Sequence, residues 1–189
     1  MERYSRKLQK WVTISAAIGA VMVFVLALSF ATDISVLLEH LDPNDRVGYV
    51  KGAYSVFYSA QDFNFVLFIL AGLMLASVLG MFVFFSQSRR VYYLSNYIVI
   101  SIFTALCIVT AVFILASLIP LRDSYLYAVE WDTYRAWAET YNLEFVKSTF
   151  WFDAGIVVGI LLVILSGALI LNLLLKVRSS RILKQKYCL

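Results

Sequence analysis

The sequence predicts an all-α membrane protein whose core is a transmembrane four-helix bundle. Four uncharged stretches are each long enough to cross a bilayer, which takes about 20 mostly apolar residues as a helix. The composition agrees, because 62% of the 189 residues are hydrophobic and only 15% are charged, with a mean hydropathy of +0.82. In soluble domains about a quarter of the residues are charged.

We predict one membrane domain over residues 1–189, and the four spans fall at about 11–32, 63–86, 95–120 and 154–175. The first stretch follows basic residues, as a signal peptide would. Its 22 uncharged residues exceed the cleaved core of about 7 to 15 residues. We therefore expect it to remain as a membrane anchor.

The distribution of charge predicts the orientation. The termini and the 87–94 connection hold eleven of the sixteen Lys and Arg residues, whereas the loops 33–62 and 121–153 hold eleven of the twelve acids. Lys and Arg are retained on the cytoplasmic side. We expect a plasma-membrane protein with both termini in the cytoplasm and the two long loops outside.

The two halves follow the same plan, which predicts two similar helical hairpins. At an offset of 91 residues Glu39 matches Glu130 and Asp62 matches Asp153. Both hairpins begin inside, so any repeat is parallel rather than inverted, which favours a transporter less.

Small residues predict where helices approach closely, because membrane helices associate where side chains are short. They recur at four-residue spacing in the second and fourth spans. They pack the helices of one bundle or bind a second membrane protein. The predicted helix-packing residues are Gly72, Ala76, Gly80, Gly155, Gly159 and Gly167.

Both outer loops are rich in aromatic and aliphatic residues at helical spacing, which predicts a short amphipathic helix in each. In the first loop the stripe runs from Ile34 to Leu41. Such stripes form a belt in contact with lipid, a docking surface for a protein, or a site for a small molecule or lipid headgroup. The predicted interface residues of the second loop are Trp131, Tyr134, Trp137, Tyr141 and Phe145.

The spans contain no charged residue, whereas proton relays and voltage sensors use ionisable groups at membrane depth. A channel or transporter component would instead use the hydroxyl and thiol groups of the third span. These are Ser101, Thr104, Cys107, Thr110 and Ser117.

Candidates for catalysis or metal binding are few, and we predict no enzyme, no metal and no cofactor. His40 is the single histidine and stands near loosely spaced acids, a pattern typical of a solvated turn. Asp62 and Asp153 lie at matching span ends and give a second alternative, a lipid-modifying enzyme. Cys107 and Cys188 are predicted on different levels of the membrane and do not form a disulfide framework.

The leading hypothesis is a non-catalytic accessory or scaffold subunit that binds another integral membrane protein through its bundle and an outer aromatic cap. The expected partners are membrane lipids and an integral membrane protein or a second copy, with no nucleic acid. Span count and orientation are similar to those of claudin-like, tetraspanin-like and connexin-like families. Cysteines typify the outer loops of those families, and their absence from these loops separates the chain from them.

Overall fold

A computed structural model describes residues 6–34, 50–85, 94–140 and 147–186, and all its regular elements there are helical. Four of the helices are long and apolar enough to cross a membrane. The predicted fold class, an all-α four-helix bundle, is confirmed. The elements are α1 (Arg6–Ser29), a π-helical stretch (Phe30–Ile34), α2 (Ala53–Phe85), α3 (Leu94–Tyr127), α4 (Trp131–Thr140) and α5 (Phe150–Lys186).

The long helices exceed the predicted spans. The 33 residues of α2 and the 37 of α5 correspond to about 50 and 55 Å, against a hydrocarbon layer of about 30 Å. Helix α2 begins in the region predicted as the first loop, and α3 continues past Pro120 to Tyr127. Pro120 has no N–H to donate to the carbonyl of Ala116, yet the helix continues because its next turn packs with Leu121 and Tyr125 buried.

Each long helix buries one narrow stripe in which residues alternate three and four positions apart. On α1 this stripe includes Gln9, Thr13, Ala16, Ala20, Val23, Ala27 and Phe30. The other three long helices show nearly the same spacing. This average period of 3.5 residues is the pattern of left-handed coiled-coil packing, with side chains of one helix inserted between those of the next.

The bundle is a ring in which α1 contacts α2 and α5, and α3 contacts the same two helices. Each predicted hairpin, α1 with α2 and α3 with α5, therefore packs as neighbours. The start of α1 and the end of α5 lie at one end of the bundle, which we call the termini end. The opposite end, where α4 packs, is called the α4 end.

Several predicted features lie outside the described residues. These are most of the first-loop stripe, His40, Tyr141, Phe145 and Cys188.

Candidate functional site at the α4 end

Seven aromatic rings form a continuous contact series across the α4 end, which we call the ring series. Consecutive ring centroids are 4.7 to 6.0 Å apart, and the closest pair is Tyr125 with Trp131 at 4.7 Å. Aromatic pairs in this range attract beyond the area that they bury. The series joins the four helices α2 to α5 to the π-helical stretch that follows α1. In order it contains Phe113, Phe63, Phe30, Phe152, Tyr125, Trp131 and Tyr134.

Helix α4 turns its aromatic face inward. Trp131 and Tyr134 are buried, and the Trp131 indole N–H donates to the main-chain carbonyl of Tyr125 at 2.8 Å. The opposite face of α4 is exposed and polar, as predicted, with Asp132, Arg135 and Glu139 on it. Two of the predicted interface residues therefore pack within the chain, while the side chain of Trp137 lies outside the described part.

The Lys147 ammonium and the burial of Tyr134 complete the packing around Trp131. The Lys147 ammonium lies 5.2 Å from the Trp131 ring centroid and 3.4 Å from the carbonyl oxygen of Leu126. Burial raises the pKa of Tyr134 above its usual value, because the low-dielectric surroundings disfavour the phenolate. This end of the bundle is a packed cap.

A backbone bond ties the start of α2 to the cap. The Glu130 N–H donates to the Lys51 carbonyl at 3.1 Å, and Gly52 adopts a φ of 83° beside it. A Cβ at Gly52 would collide with the Ala128 carbonyl oxygen. Glycine is required there by both its φ and the lack of space.

A groove of about 420 Å³ lies between α2 and α3 near the α4 end. Phe63 and Leu121 form its buried floor, and exposed residues of both helices form its rims. Its size is within the range of ligand-binding clefts, roughly 300 to 1,000 Å³. The polar side chains that line it are Ser59, Asp62, Ser117 and Ser124.

The groove changes polarity along its length. Ser59, Asp62 and Ser124 lie toward the α4 end, whereas Val66 and Phe113 lie deeper toward the centre of the bundle. From Ser59 to Val66 the helical rise is about 10 Å. The groove therefore offers polar groups at its mouth and apolar groups below them.

The two acids proposed as a pair have different neighbours. Asp153 accepts from the Arg122 guanidinium and from the Thr149 hydroxyl, both at 2.8 Å. Asp62 lines the groove and has no ion pair within the described residues. The enzyme alternative stays a prediction, and the groove itself contains only the first of its two acids.

The small residues divide into two groups. Gly155 and Gly159 are buried, and a Cβ on Gly159 would lie 2.9 Å from Leu115 of α3. Gly72 and Gly167 have no neighbouring atom within 4 Å of such a Cβ, and Ala76 is exposed. Gly80 is intermediate, at 3.8 Å from Val99.

Sequence inspection missed a polar layer at the termini end. Lys176 is fully buried, with its ammonium 4.8 Å from the Tyr97 ring centroid and 5.6 Å from that of Phe85. Its spacing of four from Asn172, on an otherwise apolar stripe, was the available signal. The buried polar residues of this layer are Gln9, Thr13, Asn96, Asn172 and Lys176.

The hydroxyls of the third span do not share one face. Thr104 and Thr110 are buried, bonding the Ile100 carbonyl and the Met74 sulfur, whereas Ser101 is exposed. Cys107 is buried with a free thiol. The channel alternative stays a prediction. No group of three or more His, Cys, Asp or Glu residues that could hold a metal ion occurs in the described part.

The fold defines the class of this chain as that of a multi-pass helical membrane protein. Neither a protein-family model, a curated protein nor a solved structure matches it. Its function is therefore inferred from its own residues.

Proposed function

We propose that this chain is a non-catalytic accessory or scaffold subunit that binds another integral membrane protein side by side within the membrane. The observation that carries the proposal is the unequal use of its small residues. Gly155 and Gly159 of α5 are covered by neighbouring helices within the chain, whereas Gly72 and Ala76 of α2, like Gly167 of α5, face outward and uncovered.

An outward strip of short side chains allows a foreign helix to approach the α2 backbone closely. The neighbouring outward residues are large, for example Phe65 and Phe82, which are 68% and 54% exposed. The strip of short side chains therefore lies between two exposed phenylalanines along α2. The buried state of Trp131 and Tyr134 favours this helix face over the aromatic cap as the contact surface.

A photo-reactive amino acid at Ala76, in the full chain and its native membrane, tests the proposal. The matched control is the same probe at Ile164 of α5, which is 63% exposed. We expect a discrete adduct with another membrane protein from position 76 alone, and its loss in a Gly72→Leu background. Adducts with lipid alone, or equal adducts from both positions, would overturn the proposal.

We further propose a plasma-membrane location with cytoplasmic termini. This is supported by exposed Lys7, Lys10 and Arg178 at the termini end, and by exposed Asp132 and Glu139 at the α4 end. Single cysteines introduced at Lys7 and Asp132, in a chain without Cys107 and Cys188, report the side from their reaction with an impermeant thiol reagent. Labelling of position 7 in intact cells would contradict the orientation.

A further inference from the structure

We infer that the groove between α2 and α3 is a binding site for a membrane lipid whose headgroup carries a primary ammonium. Its polar residues on α2, Ser59 and Asp62, lie nearer the α4 end than the small-residue strip of the proposed function, Gly72 and Ala76. The inference rests on the charge of the residues that line the groove and on the sequence of polar and apolar residues from its mouth toward the centre of the bundle.

The charge of the headgroup follows from Asp62. This carboxylate is exposed at the groove mouth and has no ion pair within the described residues. Among the described residues, no basic side chain lines the groove. An ammonium group satisfies the carboxylate through charge-assisted N–H donation, whereas a lipid with net negative charge is repelled.

The hydroxyls suit the rest of a zwitterionic headgroup. Ser59, Ser117 and Ser124 present three O–H donors within the same groove. Phosphate and ester oxygens accept such bonds. A quaternary ammonium has no N–H to donate to Asp62, so a primary amine is the better partner.

The arrangement of polar and apolar residues along the groove matches that of a lipid, which has a polar headgroup and apolar acyl chains. The polar residues lie toward the α4 end, and the apolar wall formed by Val66 and Phe113 lies deeper. Beyond the groove the outward face of α2 continues with Ile69 and Leu73, which are each 49% exposed and follow Val66 by three and seven positions. An acyl chain therefore extends from the groove along an exposed apolar surface.

Native mass spectrometry of the full chain, extracted in detergent and titrated with single lipids, tests this inference. The probes are phosphatidylethanolamine, phosphatidylcholine and phosphatidylglycerol with identical acyl chains. We expect the ethanolamine lipid to bind tightest, and Asp62→Asn to weaken it about tenfold, as expected for a lost hydrogen bond to a charged group. Asp132→Asn, an exposed acid on α4, is the matched control and should leave binding unchanged.

A second groove variant keeps the test valid if Asp62→Asn does not fold. Val66→Trp fills the apolar part of the groove from an exposed position, and we expect it to displace the lipid without altering the melting temperature. Equal binding of all three lipids, or unchanged binding in both groove variants, would overturn the inference. Competition by soluble phosphoethanolamine at the same concentration would assign the site to a free headgroup, and a protein found in the groove by cross-linking at Ser117 would assign it to a partner helix.

Discussion

The indole N–H of Trp131 donates to the main-chain carbonyl of Tyr125 across the turn that joins α3 to α4. The bond length is 2.8 Å, and the two rings are also in contact, with centroids 4.7 Å apart. Because the bond joins the last turn of a membrane helix to the first residue of α4, it fixes the direction in which α4 leaves the bundle. Trp131 and Tyr134, on the same face of α4, are both buried.

Replacement of Trp131 by Ala should destabilise the bundle by about 3 to 5 kcal/mol, because a large buried aromatic side chain is lost. Trp131→Phe keeps a ring and should cost less, since it removes the hydrogen bond and part of the contact. Unfolding in mixed micelles measures both. Trp11→Ala, at a residue 65% exposed, is the control and should change stability little.

Gly159→Leu should destabilise the bundle by about 1 to 3 kcal/mol, the usual cost of overpacking. A Cβ there already lies 2.9 Å from Leu115. Gly167→Leu on the same helix points to open space and should be tolerated. Equal melting temperatures for the two variants would contradict the assignment of Gly159 to the helix contact.

Gly52→Ala should destabilise the chain by at least about 1 kcal/mol, because an L-residue is strained at a φ of 83° and its Cβ meets the Ala128 carbonyl. Gly167→Ala is the matched control and should stabilise α5 slightly, since alanine favours a helix. Thermal unfolding in detergent distinguishes the two effects by their sign.

Lys176→Met should leave stability unchanged or raise it by about 1 kcal/mol. The variant loses cation–π attraction to Tyr97 and Phe85 but removes the cost of keeping an ammonium away from water. Arg178→Met, at an exposed position two residues further along α5, is the control. A large loss of stability in Lys176→Met alone would show that the ammonium is needed in the layer.

The cap should weaken at high pH through Tyr134. Its pKa is raised in the folded chain above the usual 10.0, so the folded state resists loss of the proton. Stability from this group is complete below about pH 10 and decreases as pH rises through the folded pKa. Tyr134→Phe should reduce the pH dependence of unfolding, whereas Tyr127→Phe, at a residue 84% exposed, should not.

The class of fold was predictable because length and apolar content alone decide whether a helix crosses a membrane. The inward faces were not, since exposed Ile164 and Val163 are as apolar as buried Leu162. In water the solvent-facing side of a helix is polar, which reveals the opposite face, but lipid imposes no such contrast. On α1 small side chains marked the core, as with Ala16, Ala20 and Ala27, but on α2 the small Gly72 and Ala76 face outward.

The site was harder to predict than the fold. The spacing of Trp131 and Tyr134 correctly predicted an amphipathic helix, but spacing does not tell whether a stripe faces lipid, a partner or the chain itself. The groove depends on residues about 50 positions apart, such as Asp62 and Ser117, which only the packing of α2 on α3 brings together.

The four long helices share a 3.5-residue period. In an apolar bundle this period lowers the free-energy cost of one packing error, an axial slip of a helix by seven residues. A slip of seven residues moves a helix about 10 Å and still places apolar side chains against apolar side chains. The buried polar layer at the termini end removes this ambiguity. A seven-residue slip of α5 toward the α4 end would carry the Lys176 ammonium into the apolar middle of the bundle. Lys176 thus sets the axial position of α5, and with it the position of the Phe152 ring, which lies 24 residues earlier on the same helix.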